Sequence, residues 1–548
     1  FRSTQIYADI ISAALKPQYL RNGIDFSIEL ERLARPLLWS EKVHPLAPIV
    51  AAEIAALWQY DIPFFWGSSS GTDMWEGTKA KQPLVKNCFT APSIKVVEHN
   101  LAHLTPDCLA QQMELIRGSL YAVDLSTSRP PDPQDFTWQD LAPATGEEAL
   151  ATAVKIGQEL AQRAFRGRDG SVSWIGLGLV PNADKFRLQP VEYSLYDGAV
   201  GIALFLAALA KETGEVNWRQ LAQGAIKPLP TLFLYQDWIL PFFLESVGLG
   251  GAVGIGSIIY GLTKIAQFLE DKACLDLADR FAQLITPDLI AKDKMYDVMA
   301  GSAGAILGLL SLYRVTQREH LIDRALQCAH HLLGQRTPTS TGHLAWQGVD
   351  LPHLTGFSHG QTGIAYALVQ LYSYTREAKL LAAAQEAIAF EEAVFIPERQ
   401  NYPDFRNADP TLCMNSWCHG ACGITLGRLG CLTTLDNSDL RTTIERGLET
   451  TGKEVFQTID HLCCGNLGRM ETLLTASHIL DRPDLADKVK WQLANLLRRA
   501  QRVGGFYLLP HIPTGVFNPG FFHGWAGVGY TMLRIAKPSQ YPSVLLWQ

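Results

Sequence analysis

The sequence predicts an all-α protein, most of it an α/α toroid in which an inner barrel of helices is ringed by an outer one, with a smaller, mostly helical N-terminal segment. Three observations predict it. A Gly-x-x-Gly pair recurs seven times, the helix-length runs after the pairs are apolar on most sides, and the segments between those runs are amphipathic.

The pairs are Gly198/Gly201, Gly251/Gly254, Gly301/Gly304, Gly360/Gly363, Gly420/Gly423, Gly465/Gly468 and Gly524/Gly527. Their first glycines lie 53, 50, 59, 60, 45 and 59 residues apart, room for two helices and two connections in each repeat. The run Ala305-Ile306-Leu307-Gly308-Leu309-Leu310-Ser311-Leu312-Tyr313 marks a fully buried helix. Farther on, Ile322, Ala325, Leu326, Ala329, Leu332 and Leu333 share one face, with Asp323, Arg324 and Gln327 elsewhere. Buried and amphipathic helices therefore alternate. A linear stack would expose apolar helices at its ends, whereas ring closure covers them. The glycines serve close approach of neighbouring backbones.

Chemistry stands just before the glycines. The residues immediately ahead of each pair are Asp197, Gly250, Ala300, His359, His419, Cys464 and His523, and those before them are Tyr196, Leu249, Met299, Ser358, Cys418, Cys463 and Phe522. Equivalent positions in a closed ring face one end of the barrel, so these side chains are expected to meet at a single mouth.

Bulk properties exclude some classes. A formal charge of -7 over 548 residues, with no Lys/Arg block, offers no counterion release to nucleic acid. The N-terminus shows no signal peptide, and ten cysteines in so long a chain suit a reducing cytoplasm, where clustered thiols bind metal or react. The uncharged stretch Ser246 to Thr263 reads as the approach to a buried helix rather than a membrane span. The chain begins at Phe1 in mid-pattern, which suggests a piece of something longer.

Cys418, Cys463 and Cys464 belong to adjacent repeats, and three converging thiolates suit a zinc ion whose fourth position stays open for chemistry. Small buried residues or a vicinal disulfide would be the structural alternative. Cys413, Cys422 and Cys431 crowd the region without holding the slot, while His419 and His523 hold it and could replace one sulfur. A thiolate-rich, negatively charged site is a poor activator of water and a good donor of thiolate, so it favours a substrate thiol as nucleophile. Addition to an electron-poor alkene also needs a proton donor. His359 is the best candidate, Asp297 is placed to orient it, and His419 is a second candidate.

Trp417-Cys418-His419-Gly420, Cys463-Cys464-Gly465 and Phe357-Ser358-His359-Gly360, on the repeat background, resemble the lanthionine synthetase C-like cyclases over Gln139 to Gln548. Leu195-Tyr196-Asp197-Gly198-Ala199-Val200-Gly201 is similar to the cyclase half of class II lanthipeptide synthetases. The resemblance implies a zinc enzyme that adds cysteine thiols to dehydrated Ser and Thr residues of a precursor peptide with a leader sequence, with an export transporter as a further partner. Asp297 and His359 match the family's aspartate and histidine, and His419 stands where stand-alone enzymes have tyrosine. Two departures stand out: Cys464 replaces the usual histidine ligand, as in an all-cysteine subgroup, and Met414 replaces an arginine.

Upstream, Arg2-Ser3-Thr4 to Leu20 and Glu53 to Phe65 resemble the end of a class II dehydratase domain. The expected organisation is thus a dehydratase remnant at 1–125, a linker at 126–138 containing Pro130, Pro131 and Pro133, and the cyclase at 139–548. ATP and Mg2+ would serve only the rest of the dehydratase, since the first 125 residues hold no Gly-rich phosphate loop. Two other readings compete: a toroidal glycoside hydrolase using Asp197 and Asp297, and a non-catalytic peptide-binding relic.

Overall fold

The computed structural model describes residues 4–31, 33–34, 47–123, 137–179, 186–234, 239–349, 351–409, 411–453, 456–509, 512, 514 and 516–548. The proline-rich linker, Ser126 to Asp135, lies outside the described residues, as do Arg2 and Ser3. The chain divides into two compact units, Phe1–Gln112 and Met113–Gln548.

The first unit is small and mostly helical. Helices Thr4–Ala14, Gly23–Glu31 and Ala47–Leu57 enclose a core of Tyr7, Ala14, Phe26, Leu30, Leu33, Val50 and Leu57. Tyr7 donates to the buried Glu53 carboxylate at 2.6 Å. A hairpin pairs Phe65–Gly67 with Met74–Glu76.

The second unit is the toroid. Seven inner helices, Ala199–Thr213, Ile255–Leu269, Ser302–Thr316, Gln361–Thr375, Ala421–Cys431, Asn466–Ile479 and Trp525–Ala536, pack each on the next and the last on the first. Six outer helices, from Val216–Ile226 to Pro483–Val503, each back the inner helix that precedes them. The seventh outer helix comes from the start of the unit: Gly146–Gln162, opened by a Thr145/Glu148 capping box, packs on Trp525–Ala536. That exchange of ends closes the ring. Every residue from Ala199 to Ala210 is buried, and each large apolar side chain so placed contributes about 1.5–3 kcal/mol. An added Cβ on Gly304 would overlap the backbone of Gly251, so the repeat glycine is needed where these two repeats touch. Inside the barrel lies the segment Tyr541–Trp547, with Tyr366 Oη donating to the Leu546 carbonyl at 2.7 Å and Trp547 Nε1 to that of Gly251 at 3.0 Å.

One register expectation is corrected. Six inner helices are capped by the first glycine of their pair, but Ile255–Leu269 is capped by Gly254. The hydrogen bond from Ser257 N to Gly250 O (3.0 Å) matches those from Gly304 to Asp297 (3.1 Å) and Gly423 to Ser416 (3.0 Å). The slot residue of repeat two is therefore Val253, not Gly250. Glycines at 248, 250, 251, 254 and 256 allow several frames, and only packing chooses among them.

The turns before the inner helices are joined around the mouth by backbone rungs. Tyr196 N donates to Ala252 O (3.0 Å), Gly251 N to Val298 O (2.9 Å), Met299 N to Ser358 O (3.0 Å), Phe357 N to Cys418 O (3.2 Å), Cys463 N to Phe522 O (3.2 Å) and Phe522 N to Tyr196 O (2.7 Å). Among the described residues, only the step from repeat five to repeat six has no such rung.

Candidate metal centre

The three expected thiols lie at that step. Cys418 Sγ is 2.9 Å from Cys464 Sγ, Cys464 Sγ is 3.5 Å from Cys463 Sγ, and all three fall within 4.8 Å of one another. The turn that places Cys418 depends on Gly420, which caps its helix at φ +85° and ψ -165°, where an added Cβ would strike the Met414 carbonyl. Beneath it Trp417 is fully buried against Phe357, Phe522 and Trp547, a rigid aromatic floor.

Cys463 and Cys464 both carry free sulfurs, so the vicinal pair forms no disulfide. Hydrogen bonds from Cys463 and Cys464 hold the Cys418 thiol well below its usual range, and their bonding to that thiolate holds the other two well above it. A dication would supply the charge needed to ionise all three, and sulfurs about 2.3 Å from a tetrahedral zinc sit about 3.8 Å apart, the scale seen here. The donor set therefore fits such an ion. Cys413, Cys422 and Cys431 are not part of the cluster. Burial pushes Cys422, which bonds Thr472 at 3.2 Å, up to about 12.

His359 Nδ1 lies 2.7 Å from Asp297 Oδ2, and Asp297 Oδ1 accepts the backbone N–H groups of Ala300 (2.7 Å) and Gly301 (3.2 Å). Burial opposes charge on the imidazole, but the carboxylate outweighs it, so His359 holds its proton more tightly than an ordinary histidine. His419 stacks on His359 at 6.0 Å between centroids. Its Nδ1 donates to the Thr355 carbonyl at 3.1 Å, which leaves Nε2 as a buried lone pair with no hydrogen-bond partner among the described residues. Burial holds this ring neutral.

Four side chains here were not singled out as candidate acids, bases or cations from the sequence. His523 Nδ1 is 3.0 Å from Asp197 Oδ2, its Nε2 is 2.9 Å from Tyr196 Oη, and Tyr196 Oη donates to Cys463 Sγ at 3.0 Å. Both His523 nitrogens are thus engaged. His461 Nδ1 accepts from the Cys464 N–H at 3.1 Å, and burial holds it well below its usual range. The signal was available: Asp197 and His523 hold the same slot in the first and last repeats, adjacent by closure, and His461 precedes Gly465 by the four residues that separate Asp297 from Gly301. Arg406 carried no periodic signal. Its Nη2 bonds Met414 Sδ at 3.0 Å, and its charge acts on Cys418 and Cys464. A cavity of about 180 Å³ opens beside Tyr196 and Asp197, against the hairpin Ile175–Leu179/Phe186–Pro190. Asp197 and Asp297, each bound to its own histidine, do not form a free carboxylate pair.

Comparison with known proteins adds three findings. The lanthionine synthetase C-like protein family matches residues 189–546, and a domain of unknown function, DUF4135, matches residues 1–67. The chain is 22% identical over 571 aligned positions to the lacticin 481/lactococcin biosynthesis protein LcnDR2 of Lactococcus lactis subsp. lactis, covering 100% of this chain and 56% of that relative. The chain thus spans little more than half the length of that curated relative. Among solved structures it is similar to nisin cyclase, with a TM-score of 0.50 and 17% identity over 65% of this chain and 92% of the other.

Proposed function

The chain belongs to the lanthionine synthetase C-like family, and from that premise we propose that residues 139–548 are a zinc-dependent lanthionine cyclase acting on a dehydrated precursor peptide. Cys418, Cys463 and Cys464 would hold the ion. Bound there, zinc would supply acidification of a substrate cysteine thiol.

The chain's own residues supply the rest. As the substrate thiolate forms its C–S bond to the β-carbon of a dehydroalanine or dehydrobutyrine, the alkene electrons move toward the α-carbon, and His359 delivers the proton that completes the C–H bond. Asp297, locked by two backbone N–H groups, keeps that imidazole oriented and charged. His419, neutral with a free Nε2, acts as an acceptor at the same mouth rather than as a second donor. Arg406 restores a cation beside Met414. The aromatic floor keeps water from the far side of the site.

Residues 1–125 are read as the end of a class II dehydratase domain and 126–138 as a linker, with ATP, Mg2+ and Ser/Thr dehydration belonging to the rest of such an enzyme. A leader-bearing precursor peptide is the partner, and an export transporter is a second. Cytoplasmic placement suits ten cysteines in so long a chain, with no disulfide among the described residues. Among the described residues no helix is long and apolar enough to cross a membrane.

One observation carries this reading: three thiols and an Asp–His pair from repeats three to six meet at one mouth. The test is zinc content together with thioether formation on a predehydrated peptide, for the wild type and His359→Ala. The variant is expected to keep its metal and lose cyclisation. Loss of the metal, or unchanged cyclisation, defeats the assigned role. Peptide binding without thioethers by the wild type would favour the relic.

A further inference from the structure

Across the seam where the last repeat meets the first, a hydrogen-bonded chain runs from a carboxylate to one sulfur of the cluster. Asp197 accepts from His523 twice, at Nδ1 (3.0 Å) and at the backbone N (3.2 Å). The ring so fixed presents Nε2 to the Tyr196 hydroxyl at 2.9 Å, and that hydroxyl reaches Cys463 Sγ at 3.0 Å. The phenol is clamped further by stacking on Phe522 at 4.7 Å. We propose that Tyr196 is a positioning residue for the metal site, donating to the Cys463 sulfur from a chain in which Asp197 orients His523 and His523 orients the phenol.

Hydrogen-bond counting supports the direction. A phenol has one proton, and a metal-bound thiolate has none, so the proton between them belongs to Tyr196. The phenol oxygen keeps its lone pairs toward His523 Nε2 at 2.9 Å, and the Asp197 carboxylate holds the ring's other nitrogen at 3.0 Å.

The consequence is an unequal trio. A hydrogen bond draws electron density from a ligand sulfur, strengthening its role as a fixed anchor and blunting it as a nucleophile. Cys463 receives one from Tyr196, and Cys418 has the Ser416 hydroxyl at 3.1 Å. Cys464 Sγ is hydrogen-bonded only to its two thiol neighbours among the described residues, and the Arg406 charge acts on it as it does on Cys418. By hydrogen bonding from side chains outside the trio, Cys463 is therefore the most damped sulfur and Cys464 the least.

This inference rests on the zinc reading above, and its test separates the two. The full chain and its Tyr196→Phe and His523→Gln variants are loaded with zinc for chelator competition, and with Co2+ for absorption spectra. Tyr196→Phe keeps the ring stack and loses only the donor. It is expected to bind zinc about 10-fold more weakly and to shift the sulfur-to-cobalt charge-transfer band to lower energy. His523→Gln, which leaves the phenol in place but untethered, should shift both in the same direction by less. Metal uptake by the wild type with unchanged affinity and spectrum in Tyr196→Phe overturns the inference alone. Failure of the wild type to bind either metal overturns the zinc reading, and the inference with it.

Discussion

Asp297 Oδ2 lies 2.7 Å from His359 Nδ1 across 62 residues of chain, and the bond decides at which pH the histidine can act as an acid. Burial alone would favour the neutral ring, and the carboxylate reverses that preference. A proton donor must be protonated, so activity should fall as pH rises through the His359 pKa, which lies above its ordinary value. Asp297→Asn removes the charge and leaves the burial, so the falling limb moves to lower pH. The variant should lose about 10-fold or more at pH 8, one pKa unit being a factor of ten, and far less near pH 6. The pH dependence of kcat/KM on a dehydrated peptide measures this. A limb that stays in place removes His359 from the acid role.

Metal content should separate the clustered sulfurs from their neighbours. Cys418→Ala, Cys463→Ala and Cys464→Ala are each expected to lose stoichiometric zinc. Cys422→Ala should keep it, because that thiol turns away to Thr472 at 3.2 Å, and it should cost only about 1 kcal/mol as a small core truncation. Metal analysis of the purified variants decides the assignment, and zinc retained by Cys418→Ala would contradict it.

Removing the metal should loosen one place on the ring. Among the described residues, the turns around the mouth are tied by backbone rungs except between repeats five and six, where the three thiols stand instead. A chelator should therefore raise amide hydrogen exchange in 413–420 and 459–465 and leave the turns at 194–198 and 296–301 nearly unchanged. Uniform protection with and without chelator would show that the ion does not close that step.

How far the sequence could be read follows from what periodicity sees. Repeated glycines and buried runs such as Ala305 to Tyr313 report a local pattern that every repeat obeys, so the barrel and the shared mouth of Cys418, Cys463, Cys464 and His359 were legible. The frame of repeat two was not, because Gly248 to Gly256 fits several alignments until Gly254 is seen to cap its helix. Tyr196, Asp197 and His523 hold that mouth position too, but which of them bonds which, across 326 residues or more, is set by packing at the seam and not by periodicity. Arg406 stands on an irregular loop, and only the folded chain shows that it pairs with Asp404 at 2.8 Å and lies against Met414 at 3.0 Å.

Backbone conformation at Gly420 should control the metal site from outside it. At φ +85° and ψ -165° the residue occupies a region essentially closed to other residues. A methyl group there also meets the Met414 carbonyl, which is backbone and cannot swing aside. Gly420→Ala must therefore rotate the turn that carries Cys418 and His419, at a cost of about 1–3 kcal/mol for the strained dihedral alone and more for the collision. The expected result is a lower melting temperature together with weakened zinc binding. Gly334→Ala is the matched control, since it closes the helix Glu319–Gly334 with nothing within 4 Å of the added methyl, and should leave both unchanged or raise stability by about 0.5 kcal/mol. Thermal denaturation with and without chelator reads both effects, because a loss confined to the metal-loaded protein assigns it to the site rather than to the barrel.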